Sequence, residues 1–214
     1  NHGGEFYSTN KLGVFGSDLG AVACFFEEPW ERVSPSPSGM TGWLKAVASN
    51  CLRALGRLAE AIEPSRACVE LAAEEGDWRN AARGASNLSE LELTLGGMSE
   101  AMEDAKRSVT YADRSGYWGW QVGFRTTLAD ALYQAGHSCE AEVCFREAEA
   151  MQAKHQSAFP VLYSLWGFRY CDLLLAASEN AAWQVMLRTA AFTPLQRSNK
   201  KRAADHLARE SDIN

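Results

Sequence analysis

The chain has 214 residues, of which 46% are apolar and 22% charged, and its formal net charge is −6. A chain of this length and composition can bury a substantial core, and it lacks the low hydrophobicity of a disordered protein. The acidic balance argues against a nucleic-acid surface, which needs clustered Lys and Arg; the one basic cluster is Lys200, Lys201 and Arg202. No run approaches the roughly 20 apolar residues of a membrane span, and no signal peptide is recognisable. The first residue is Asn, so the chain reads as a piece of a larger protein. Cys24, Cys51, Cys68, Cys139, Cys144 and Cys171 form no Cys-x-x-Cys, which suggests free thiols in a reducing, cytoplasmic setting.

Residues 1–27 form an N-terminal segment. Its first eleven residues are polar and expected to fray, and Leu12, Phe15, Leu19, Val22 and Phe26 follow at helical spacing. Residues 28–40 hold Pro29, Pro35, Pro37 and several serines, a composition that removes backbone donors and predicts a loop. Trp30 inside it is expected to pack back onto the helices as a tether. From residue 41 to 192 helices alternate with short turns, and the pattern repeats every forty residues: Leu55-Gly56 with Glu60-Ala61, Leu95-Gly96 with Glu100-Ala101, Ala135-Gly136 with Glu140-Ala141. The junctions repeat as well, Gly76 with Trp78 and Gly116 with Trp118. Glycine there can take positive φ and stop a helix, and the tryptophan two residues on is expected to open the next helix and bury against the previous pair. The predicted helices are 41–55 and 58–75, 78–95 and 98–114, 118–135 and 138–154, then 160–177 and 180–192, making four hairpins. In residues 193–214, Thr193-Pro194 is expected to block continuation, and the charged remainder reads as either a polar capping helix or a disordered tail.

Small residues hold equivalent places: Ala61, Ala101 and Ala141; Ser49, Ser89 and Ala129; Cys68, Ser108 and Ala148. With an apolar residue and Gly at each inter-helix turn, this pattern resembles the tetratricopeptide repeat. The fourth unit departs from it, with Arg169 in place of the small residue and Ala176 in place of the turn glycine. The forty-residue period also exceeds the usual repeat of about 34, and the consensus proline is missing. Longer units are familiar from C-terminal arrays of bacterial signalling ATPases of the NACHT and related classes, which Ser86 to Gly96 resembles. The resemblance implies an all-α fold, a right-handed α-α superhelix of about four hairpins with a concave groove.

Searching for reactive groups yields little. No phosphate loop, dinucleotide fingerprint or nucleophile elbow is present. His137, Cys139 and Cys144 match no zinc template. Glu60, Glu100 and Glu140 begin second helices, where a negative side chain meets the positive end of the helix dipole. The reading is therefore non-catalytic, without cofactor or metal. The resemblance implies that the groove is lined by Trp43, Asn50 and Arg53; by Arg83, Ser86, Glu90 and Leu93; by Thr126, Asp130, Tyr133 and Gln134; and by Tyr163, Trp166, Tyr170 and Leu173. Such a groove would bind a peptide or protein partner. The carboxylate clamp for a chaperone tail is rejected: Asn50 and Asn87 suit it, but Ala46, Gly123 and Thr127 stand where its cations should be, and Lys45 and Arg125 lie one residue off. The alternatives are an autoinhibitory array of an ATPase-type sensor, or a regulator taking a small molecule near Tyr133, Tyr163, Trp166 and Tyr170. Exposed end faces could drive self-association.

Overall fold

The computed structural model describes residues 13–34 and 40–211, with side chains to residue 189. Among the described residues its regular structure is helical except for one short β-hairpin. The order is α1 (Phe15–Ala23), β1 (Phe26–Glu28), β2 (Arg32–Val33), α2 (Met40–Ala54), α3 (Leu58–Glu74), α4 (Trp78–Leu95), α5 (Met98–Ser115), α6 (Trp118–Gln134), α7 (Ser138–His155) and α8 (Ser164–Ser211). Residues 13–170 belong to one compact unit and 171–211 to a second.

The glycine turns explain the helix ends in the first unit. Gly96 has φ +86°, a conformation that costs little only without a Cβ. Its N–H donates to the Leu93 carbonyl at 3.0 Å and that of Gly97 to Glu92 at 2.9 Å, the paired bonds of a Schellman turn that satisfy carbonyls the helix leaves open. The same pair of bonds closes α2 at Gly56, α3 at Gly76 and α6 at Gly136. Asp77 caps α4 by accepting from the Asn80 N–H at 3.1 Å.

Consecutive helices from α2 to α7 pack on one another, and α4 also packs on α6. Within a hairpin the helices run antiparallel: Ser49 and Ser65 hydroxyls meet at 2.5 Å while the Cys68 thiol reaches the Gly42 carbonyl. Ala61, Ala101, Ala141, Ser89, Ser108 and Ala148 are fully buried, so the recurrent small residues lie where helices approach closely. Between hairpins the first helices run parallel. Ser86 on α4 donates to Thr127 on α6, 41 residues away, and Arg169 on α8 donates to the same hydroxyl from 42 residues away.

Several expectations need correction. The first helix is shorter than Leu12 to Phe26, because Phe26 already lies in β1; residues 1–12, including the segment expected to fray, fall outside the described residues. The segment from 28 to 40 is not all loop, since β1 and β2 pair antiparallel across its start, while residues 35–39 are not described. Trp30, at the tip of this hairpin with φ +66°, is buried against Leu19, Val22 and Leu44. Trp78 and Trp118 open their helices but stack on Tyr111 and His155. Those partners come from the second helix of the same hairpin, not the previous pair, because antiparallel pairing sets the start of one helix beside the end of the other.

The fourth hairpin is absent: α8 is continuous from Ser164 to Ser211, without reversal near 178 and without a break at Pro194. Alanine at 176 cannot take the left-handed turn cheaply, and good helix formers on both sides favour continuation. Proline removes one backbone hydrogen bond at a cost of about 3 kcal/mol, and the alanine-, lysine- and arginine-rich sequence beyond Pro194 resumes the helix.

Candidate functional site: an inter-helix groove

The first helices of successive hairpins border an open groove of about 620 Å³. Asn50, Arg53 and Ala54 enter it from α2, and Asn87, Glu90, Leu91 and Thr94 from α4, with Phe15 and Leu58 at one side. The spacings 50, 53, 54 and 87, 90, 91, 94 each mark one helical face. Among the described residues, Asn50, Asn87 and Arg53 side chains make no hydrogen bond or ion pair, leaving amides and a guanidinium directed at solvent.

Glu90 is not free in this way. Arg169 reaches back from α8, 79 residues later, to bond Glu90 at 2.8 Å, and its Nε lies 3.3 Å from Asp130 on α6. The side chain of Arg169 is only 13% exposed. Two carboxylates and one guanidinium therefore link α4, α6 and α8, and Gln134 donates to Asp130 at 3.1 Å. Sequence reading noticed Arg169 as a departure from the small residue at that place but missed its use. The signal was available: a long cation stands where the other units have Ser49, Ser89 and Ala129.

Asn50, Arg53 and Glu90 thus share one groove, and Glu90 joins Asp130 through Arg169. Trp43 is half exposed at the start of α2 and lines neither this groove nor the cleft between α2 and α3. Arg83 is exposed and donates to Asn80 at 2.7 Å. Tyr133 is half-buried on the last turn of α6. Ser86 and Thr126 are buried, and Leu93 belongs to a core cluster with Ala101, Ala105 and Ala131; these three line no groove, because the face expected of them points between helices. Tyr163 and Trp166 rings lie 6.2 Å apart, and the Trp166 indole packs so closely on Gly123 that an added Cβ would meet it at 3.0 Å. Tyr170 stacks at 4.9 Å on fully buried Phe145. Trp166 and Tyr170 thus have packing roles. Leu173 falls in the second unit.

A second charged cluster is structural. Glu92 and Asp104 face one another between α4 and α5, flanked by Arg66 at 3.1 Å from Glu92 and Arg107 at 2.9 Å from Asp104. Burial, then the Asp104 charge, push the Glu92 carboxyl up to about 7, and burial raises Asp104 too. Glu92 Oε2 has no donor, which a proton shared between the two acids would supply. The six cysteines are free thiols; burial pushes Cys68 up to about 11 and raises Cys51 and Cys144, which disfavours the thiolate a nucleophile needs. His137 contacts Glu140 at 3.1 Å, and among the described residues no group of three His, Cys, Asp or Glu could hold a metal. Nor, among them, is any helix long and apolar enough to cross a membrane.

Compared with known proteins, the chain matches no family model and no curated protein.

Proposed function

We propose that the chain is a tetratricopeptide-like solenoid that acts as a non-catalytic interaction module, binding an extended peptide or a protein segment in the groove between its first helices. The same reading makes it a cytoplasmic part of a larger bacterial signalling protein. The observation that supports it best is the groove between α2 and α4, where Asn50, Asn87 and Arg53 offer donors that nothing described in the chain satisfies. Unpaired amides on parallel helices can hold the backbone of an extended chain, and a rigid hairpin stack lowers the ordering cost of binding.

Selection of a random peptide library against the 214-residue chain tests this. Selected peptides are expected to bind at least about tenfold more weakly to Asn50→Ala/Asn87→Ala, in line with loss of about 1.4 kcal/mol. Failure to select any peptide, or equal binding to the double variant, would remove the groove from consideration.

A further inference from the structure

The second unit, residues 171–211, is a single stretch of α8. Large apolar side chains stand open on it: Leu175 is 52% exposed, and Trp183 and Met186 are each 60% exposed. A turn of about 100° per residue puts these three on one face with Asp172, Glu179, Ala190, Thr193, Arg197 and Lys201, all within about 80° of one another. From Asp172 to Lys201 the face runs about 45 Å, or about four heptads, long enough for a coiled pair of helices. Scattered exposed apolar residues are ordinary, but a stripe of this length, on a helix that is alone among the described residues of its unit, is a surface suited to another helix.

The order of residue types along the face points to which helix that is. Acids stand in its first half, Asp172 and Glu179, and cations in its second, Arg197 and Lys201. Large apolar residues likewise precede small ones: Leu175, Trp183 and Met186 come before Ala190 and Thr193. Asp172 and Glu179 are exposed and make no ion pair among the described residues. Such a face complements itself when reversed. Two copies laid antiparallel about an axis midway between Met186 and Ala190 set Glu179 against the partner's Arg197, Met186 against the partner's Ala190 and Trp183 against the partner's Thr193, each contact being made twice. The partner's Lys201 falls opposite Leu175, one turn from Asp172, so that its stem can cover the leucine while its ammonium reaches the carboxylate. A parallel pair would instead bring Glu179 against Glu179 and Arg197 against Arg197, which repel.

We propose that the chain forms an antiparallel homodimer through this face of α8, with the charge gradient along the helix fixing the orientation. An isologous pairing covers the stripe on both copies at once and needs no foreign helix. It is independent of what the groove between α2 and α4 binds.

Sedimentation equilibrium of the full chain tests the assignment. The native chain is expected to dimerise reversibly. Glu179→Arg and Arg197→Glu each set like charges face to face and are expected to weaken the dimer at least about tenfold. The double variant Glu179→Arg/Arg197→Glu restores opposite charges only in the antiparallel pair and is expected to recover the native affinity within about threefold; that recovery separates lost pairing from lost folding. Trp183→Ser is expected to weaken the dimer at least about tenfold. A native chain that stays monomeric up to about 0.1 mM, single charge variants that dimerise as the native chain does, or a double variant no better than either single one would each overturn the proposal. So would a monomer that sediments with vesicles of anionic phospholipid, which would assign the face to a lipid surface.

Discussion

Ala101 shows what a single side chain decides in this protein. It is fully buried where α4 and α5 approach, so Ala101→Trp must push the helices apart, at a cost of about 1–3 kcal/mol or more. Its neighbour Glu100 is exposed in the first turn of α5, and Glu100→Gln loses only a favourable dipole contact, about 0.3–1 kcal/mol. Thermal denaturation is expected to show a large fall in Tm for the first and a small one for the second. Glu92 gives a pH dependence. Its carboxyl rises from 4.5 to about 7 on folding, so the folded state holds the proton more tightly than the unfolded chain. That contribution to stability is complete below 4.5 and is lost as pH climbs through about 7. Glu92→Gln is expected to flatten the decline in Tm between about pH 5 and about pH 8 and to raise Tm on the alkaline side; an unchanged slope would show that Glu92 does not carry the proton.

Elements in this chain are delimited by backbone conformation more than by hydrophobic pattern. Gly96 has φ +86° with open space where a Cβ would go, so Gly96→Ala isolates the conformational cost, roughly 1–2 kcal/mol. Gly97, at φ −80°, should tolerate alanine within about 0.5 kcal/mol. Chemical denaturation of the two variants checks the contrast. The same chemistry explains what was legible in advance. The six helices from α2 to α7 end within a residue or so of their expected bounds, and the first five of them stop at glycines 56, 76, 96, 116 and 136, which all carry positive φ. The fourth hairpin was misread because apolar periodicity continues past Ala176, and periodicity records which face is apolar but not whether the chain turns. The β1–β2 hairpin was illegible for a different reason: two- and three-residue strands are too short for alternation to register. The expectation that Asn50, Arg53 and Glu90 line a groove came from the resemblance to the repeat, whereas the pairing of Glu90 with Arg169 depends on side-chain reach across three helices.

At the scale of the first unit, extensive helix packing joins neighbours in sequence, with α4 on α6 as the longer step. Such local topology favours refolding in milliseconds or less, measurable by stopped-flow tryptophan fluorescence. The Arg169 bonds to Glu90 and Asp130 are the exception in reach, so they should form late. Arg169→Met leaves two facing carboxylates with one cation fewer and is expected to cost about 1–3 kcal/mol, appearing mainly as faster unfolding with folding little changed. A slowed folding limb would instead put this network in the folding nucleus. The bridge also bears on what the groove can accept. A visiting lysine or arginine seeking Glu90 or Asp130 must first evict an incumbent from the protein's own sequence, one already tethered and largely desolvated. In the proposed groove this would disfavour basic guests beside Glu90 and leave Asn50 and Asn87 to meet neutral ones.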